Sequence, residues 1–218
     1  MGARMLVFPT REEWLKNRGN GIGGSEISAI IGCNPYLDNV TLWEYKTNRK
    51  QSADISDKSY VKYGQEAEPF LRELFKLDFP EYEVFYEENN SFINDKYPWS
   101  QASLDGWLVE KETGRKGILE IKTTEILQSM QKEKWNNRIP DNYYCQVLMY
   151  MAVLEVDFAV LKCQMKSAFN GVPYLQTKHY FIEKSDVQDD IDFLMKKGEQ
   201  FWECVKADKC PAFVLPPI

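Results

Sequence analysis

The order of patterned segments predicts an α/β (α+β) fold with a mixed central β-sheet flanked by α-helices. Three observations carry this expectation. Helical stretches alternate with groups of short apolar strands, in the order helix, strands, helix, strands, helix. Two pairs of strand-like runs are joined by turn residues, the Gly- and charge-rich stretch 110–117 and the dipeptide Asn170-Gly171. Capping patterns mark the starts of the first and last helices. The chain has 218 residues, 44% of them hydrophobic and 14% aromatic, so one full core can form. Residues 1–218 are therefore expected to make a single domain.

The elements follow in order. Thr10 and Glu13 give the T-x-x-E pattern that caps a helix over 11–17. A glycine-rich turn at 19–24 follows, and Ser25 opens a short helix to about residue 31. Residues 47–59 are polar and weakly periodic, which suits a surface loop better than a domain boundary. A longer helix is predicted over 65–77. Its buried face would be Ala67, Phe70, Leu71 and Leu74, at i, i+3, i+4 and i+7.

Strands are predicted at 83–87, 103–109 and 118–123, the last two as an antiparallel hairpin. Pairing Val109 with Ile118 puts Asp105 opposite Lys122 and beside Glu120. A two-residue slip would still keep the three groups close. A helix over 142–154 would bury Tyr144, Val147, Leu148 and Met151. Strands 159–165 and 174–183 join through Asn170-Gly171. A final helix starts at Ser185, with Gln188 closing a second capping box, and runs to about 207. It would turn Val187, Ile191, Leu194 and Trp202 inward.

Composition narrows the function classes. No run of about 18 apolar residues occurs, and residues 1–10 lack a charged-then-apolar leader pattern. No membrane partner is expected, and the cytosol is the expected compartment. The five cysteines are widely spaced, without a C-x-x-C pair, and fit small buried side chains better than a metal site. Catalysis by a Ser/His or Cys/His pair would depend on the only histidine, His179, in a strand-like stretch. The net charge of −6 weighs weakly against nucleic acid. Metal sites need carboxylates, and 111–116 and 131–138 carry local basic charge.

The chemistry concentrates in Leu104-Asp105-Gly106 and Leu119-Glu120-Ile121-Lys122. Residues two apart on a strand share a face, so Glu120 and Lys122 point one way and Leu119 and Ile121 the other. Two carboxylates and an ammonium then converge. Such a cluster suits phosphodiester hydrolysis, since hard oxygen ligands hold Mg²⁺ and leave it waters and phosphate oxygens. A plain surface strand of alternating charge is the alternative. Glu68 could complete a second metal site, typically ~4 Å from the first. It could equally be an acid favoured at a helix N-terminus, and Glu66 is an equal rival on composition. Gln146 and Tyr150 share a helix face with Tyr143, a stripe that could contact DNA or simply be partly exposed.

Gly19-x-Gly21-x-x-Gly24 formally matches a dinucleotide fingerprint. A helix rather than a strand precedes it, and no ribose-binding acid closes a βαβ unit, so no nucleotide cofactor is expected. An anion site fits better. Arg18 can bond a phosphate bidentately, and Ser25 heads a helix. A terminal phosphate would be a natural occupant. A plain N-cap is the other use of Ser25.

Together these residues resemble the YqaJ-like viral recombinase family, relatives of the phage lambda exonuclease in the PD-(D/E)xK nuclease superfamily. The matching segments are 18–27 (RGNGIGGSEI), 64–68 (GQEAE), 102–106 (ASLDG), 119–122 (LEIK) and 144–147 (YCQV). They stand in family order within about 11–155. The chain beyond about residue 161 adds compatible secondary structure. Leu104 occupies the place of the superfamily's proline, which is not a metal ligand.

The resemblance implies a restriction-endonuclease-like core and a Mg²⁺-dependent exonuclease that digests one strand of linear duplex DNA from the 5′ end. It implies two Mg²⁺ ions, with Mn²⁺ able to substitute. Asp105, Glu120 and the Ile121 carbonyl would hold one, and Glu68 the second, sharing Asp105. Lys122 would position or activate the attacking water. Arg18, Ser25, Ser103 and Gln146 would receive the 5′-phosphate, and Tyr150 is a candidate DNA contact. The 3′ single strand would pass to a single-strand annealing recombinase in the cytoplasm of a bacterial host of the phage or prophage. A ring-shaped trimer is one assembly it allows. The alternatives are a structure- or sequence-specific endonuclease and a non-catalytic DNA-end-binding module. An iron–sulfur relative is disfavoured by the cysteine spacing.

Overall fold

A computed structural model describes residues 2–127 and 129–216. In chain order the elements are β1 (Arg4–Val7), α1 (Arg11–Arg18), β2 (Ile22–Gly23), α2 (Gly24–Ile30), α3 (Asn39–Lys46), α4 (Ser59–Asp78), β3 (Tyr82–Phe85), β4 (Asn90–Ile93) and β5 (Ser100–Gln101). There follow β6 (Gly106–Glu110), β7 (Lys116–Glu125), α5 (Ser129–Glu133), α6 (Asp141–Leu154), β8 (Phe158–Phe169), β9 (Val172–Glu183), a 3₁₀ turn (Lys184–Asp186) and α7 (Gln188–Lys206).

The main sheet has the order β3-β6-β7-β8-β9. All neighbours are antiparallel except β7 and β8, so it is the mixed sheet that was expected. A parallel pair needs a crossover. Here α6 supplies it and packs back on the sheet with α2 and α7. That face holds the larger core. The opposite face is covered by α4, whose Leu71 and Phe75 pack on Leu108, Leu119, Ile121, Phe158 and Val160. Two short pairs, β1 with β4 and β2 with β5, flank the main sheet.

Several local expectations change. Of the face expected for α4, Leu71 is buried and Ala67 packs against the same cluster, but Phe70 is 76% exposed and Leu74 43%. Leu71, Arg72 and Phe75 are its buried residues, and Glu68 lies one turn before Arg72 on that side. The side facing the sheet therefore mixes apolar and charged groups, and hydrophobicity alone misplaces it. The β6–β7 hairpin pairs Val109 with Lys116 and Gly106 with Leu119, two residues from the expected register. Asp105 and Ser103 precede the strand and do not lie in it. Helix α6 buries every residue from Cys145 to Val153, because α2 and α7 cover the side that the sheet does not. Helix α7 starts at Gln188 without a side-chain cap, and Ser185 donates to Asp186 in the preceding turn, so no second capping box forms.

The signals at the first helix and at the last hairpin hold. Thr10 accepts from the Glu13 amide at 3.2 Å and begins α1. Asn170 and Gly171 both have positive φ, 49° and 78°, the two-residue turn that matches strand twist. Helix α3 was missed in the sequence, although Asp38 caps it by accepting from the Thr41 amide at 2.8 Å.

Candidate functional site

One cavity of about 320 Å³ gathers Arg18, Ser25, Glu68, Ser103, Asp105, Glu120, Lys122, Gln146 and Tyr150. These come from α1, α2, α4, β7, α6 and the segment between β5 and β6, so distant stretches of chain meet there. Ile121 is not in the lining. Its side chain packs under α4, and its amide donates to Asp105 Oδ2 at 2.8 Å. Glu66 is exposed and absent from the lining, which separates it from Glu68. His179 and the five free cysteines lie outside it.

The segment carrying Asp105 is held from several sides. Buried Asn90 takes the Leu104 amide on its carbonyl oxygen and donates to the Leu104 carbonyl, both at 2.8 Å. Arg72 donates to the Asp105 carbonyl and to Glu68 Oε1, the latter at 2.9 Å. The Arg72 guanidinium lies 3.5 Å over the Tyr86 ring. Arg72 was not among the expected residues. Its spacing of four from Glu68 on one helix was the available signal.

On β7, Glu120 is buried at 2% exposure. Its Oε1 accepts from Lys122 Nζ and from Gln146 Nε2, each at 2.6 Å. Gln146 also donates to the Tyr150 hydroxyl at 3.1 Å. Gln146 and Tyr150 are thus buried rather than a partly exposed stripe, at 6% and 4% exposure. The second oxygen of Glu120 is buried and has no hydrogen-bond partner among the described residues.

The electrostatics show an excess of negative charge. Burial and then the Asp105 carboxylate push Glu120 up to about 8, against the pull of Lys122. Burial and then Asp105 push Glu68 up to about 7, with Arg72 working the other way. Burial also raises Asp105, although Lys122 and the Ile121 amide oppose it. Burial alone would lower Lys122, but the Glu120 and Asp105 carboxylates outweigh it and raise the ammonium. Lys122 is therefore a hydrogen-bond donor at neutral pH.

Among the described residues, no group of three or more His, Cys, Asp or Glu side chains is arranged to hold a metal ion as it stands. The donor set nevertheless fits a hard cation. Glu120 Oε2 is an orphaned buried acceptor, and three carboxylates here are destabilised as anions. A cation would relieve both.

The same lining also carries two arginines, Arg11 and Arg18. Trp14 on α1 donates from Nε1 to the Asn90 carbonyl at 2.9 Å and to Ser103 Oγ at 3.2 Å. The guanidinium of Arg18 lies 4.9 Å from its ring centre and that of Arg11 5.5 Å. Arg18 donates to Ser25 Oγ at 3.3 Å, and neither arginine has a carboxylate partner among the described residues. Arg11 and Trp14 also escaped the sequence reading. With Arg18 they sit at i, i+3 and i+7, so they were visible as one helix face. Ser25 is not the cap of α2. Gly23 holds that place, and Glu26 accepts its amide at 2.8 Å.

Gly24 lets α2 approach α6. A Cβ there would lie 2.4 Å from Tyr150 Cε1 and 2.9 Å from Gln146 Cγ. Gly24→Ala is expected to destabilise the fold by about 2 kcal/mol through overpacking, read as a fall in thermal midpoint.

Comparison with known proteins adds four findings. The YqaJ-like viral recombinase domain matches residues 13–157. The uncharacterized protein YqaJ of Bacillus subtilis strain 168 is 30% identical over 196 residues, which is 88% of this chain. The match spans 56% of that relative's own length. An alkaline exonuclease from Laribacter hongkongensis superposes with a TM-score of 0.64 at 14% identity, covering 90% of this chain and 93% of that one. A phage related exonuclease from Haemophilus somnus 129PT gives 0.56 at 13% identity, covering 86% and 96%. The likeness to these structures establishes the fold, the restriction-endonuclease-like α/β arrangement expected from the sequence.

Proposed function

The chain belongs to the YqaJ-like viral recombinase family, and from that membership we propose that it is a metal-dependent DNA exonuclease. It digests one strand of linear duplex DNA from the 5′ end and leaves a 3′ single strand. The observation that carries this is the convergence of Glu68, Asp105, Glu120 and Lys122 on one cavity that Arg18 and Arg11 also line. The two similarly folded proteins, an alkaline exonuclease and a phage related exonuclease, support it.

Asp105, Glu120 and the Ile121 carbonyl would hold one Mg²⁺, and Glu68 with Asp105 a second; bound there, Mg²⁺ or Mn²⁺ would supply an acidified water and neutralise charge on the phosphate. Lys122 donates to the attacking water or to a phosphate oxygen. Gln146 fixes the orientation of Glu120, and Arg72 ties Glu68 to the Asp105 backbone. Arg18, Ser25 and Ser103 receive the 5′-phosphate; Gln146, expected with them, commits both amide hydrogens to Glu120 and Tyr150 and backs that pocket together with Tyr150. The 3′ strand is the substrate of a single-strand annealing recombinase, and a ring of three copies would keep the enzyme on its DNA.

The test is incubation of linear and closed circular duplex with Mg²⁺ or EDTA. Loss of linear DNA alone, only with metal, is expected. Cutting of the closed circle would replace the exonuclease by an endonuclease.

Arg18→Ala is expected to reduce the preference for 5′-phosphate over 5′-hydroxyl ends about tenfold or more, because hydrogen bonds to charged groups contribute about 1.5–3 kcal/mol. Initial rates on the two substrates measure it. Equal wild-type rates on both ends would remove the phosphate pocket from the account.

A further inference from the structure

A second cavity, of about 220 Å³, has Tyr143 in its lining. That ring links it to the first cavity through Lys122. Lys122 Nζ lies 5.2 Å over the ring, and Trp135 stacks against it at 5.5 Å. The lining beyond includes Tyr36, Thr124, Lys134, Arg138 and Asn142.

The two cavities follow one line through the molecule. Along β7, Glu120 and Lys122 border the first and Thr124 the second. These share one strand face, and the step from Lys122 to Thr124 is about 6.6 Å at the usual strand rise. Along α6, Tyr150 and Gln146 border the first, and Tyr143 and Asn142 the second. The line therefore runs from Arg18 and Ser25, past Glu120 and Lys122, to Lys134 and Arg138.

Charge favours the same direction. Lys134 is exposed and has no carboxylate partner among the described residues. Arg138 faces Asp141 at 3.7 Å with both side chains more than half exposed, a weak and screened pair. Tyr36 stands on the rim at 88% exposure. By contrast, the first cavity's lining carries Glu88, a carboxylate outside the metal-holding set, which repels a chain of phosphates.

This inference rests on the nuclease reading. We propose that the second cavity is a subsite for the DNA strand immediately 3′ of the scissile phosphate, with Lys134 and Arg138 against its backbone and Tyr36 and Tyr143 against sugar or base. A strand whose 5′-phosphate sits at Arg18 and whose reacting bond sits at Glu120 and Lys122 leaves the centre on the side away from Arg18. The basic opening lies on that side.

The test compares wild type with the Lys134→Ala/Arg138→Ala double variant. Both side chains are exposed, so the variant is expected to fold. The probes are 5′-phosphorylated oligothymidylates of one, two and four nucleotides, bound with Ca²⁺ in place of Mg²⁺. Wild type should tighten about tenfold or more from the shortest to the longest probe. The variant should lose most of that gain, and its salt slope should fall by about 0.7 for each phosphate contact removed. A wild type that gains nothing with length, or a variant that keeps the whole gain, overturns the subsite. Turnover of end-labelled duplex by wild type in Mg²⁺ judges the nuclease reading separately. Turnover without a length gain defeats the subsite alone. A length gain without turnover defeats the nuclease and leaves a strand-binding cavity.

Discussion

Glu120→Gln is expected to abolish turnover, by about 10³-fold or more, while making the metal-free protein more stable at alkaline pH. The two effects share one cause. Glu120 is buried, one of its oxygens has no partner, and its carboxyl is pushed up to about 8. Glu68 is pushed up to about 7. Both lie above the ordinary unfolded carboxyl value of about 4.3. The metal-free folded chain therefore binds more protons than the unfolded chain between about pH 4 and 8, and stability falls as pH rises through that window. Thermal midpoints of metal-free wild type should thus decline from pH 5 to pH 9. The glutamine variant should decline less, because it keeps the hydrogen bonds without the charge. Mg²⁺ should raise the wild-type midpoint more at pH 8 than at pH 5, since its ligands must be deprotonated. A wild type equally stable across this range without metal would contradict the strained carboxylate cluster.

Lys122→Ala is expected to lower kcat by about 10²- to 10³-fold, the usual effect of losing one preorganised donor at a reacting centre. KM for DNA should change much less. The ammonium sits 2.6 Å from Glu120 Oε1 and over the Tyr143 ring, so it is held in place by groups on two elements. An arginine has a different reach and a planar fork, so Lys122→Arg should rescue little. The pair of variants separates two roles. Lys122→Ala should keep the Mg²⁺-induced rise in thermal midpoint, and Glu120→Gln should lose most of it. Loss of that rise in Lys122→Ala would mean that the lysine builds the site rather than acting on the substrate.

How far the sequence revealed this depended on the kind of signal. The hairpin register is two residues off, a slip that keeps Glu120 and Lys122 on one face, and Asp105, one residue before β6, still meets β7 through the Ile121 amide. Helix α4 was harder. Its apolar pattern favours Phe70 and Leu74, which are exposed, while the inward side carries Glu68 and Arg72. A side built to hold charge beside a cavity breaks the hydrophobic pattern that locates a core. Helix α6 failed in the opposite way, since covering elements on every side bury polar Gln146 with its neighbours. The roles of Trp14 and Asn90 are long-range. Each bonds groups far off in sequence, and no local spacing announces such contacts.

The most direct measurement is digestion of linear duplex DNA labelled separately at each 5′ and 3′ end, with 5′-phosphate or 5′-hydroxyl termini, in Mg²⁺ and in EDTA. The account predicts Mg²⁺-dependent release of 5′ label first, faster from phosphorylated ends, with 3′ label retained on a lengthening single strand. Release of 3′ label first, or no release in any divalent metal while DNA stays bound, would contradict it.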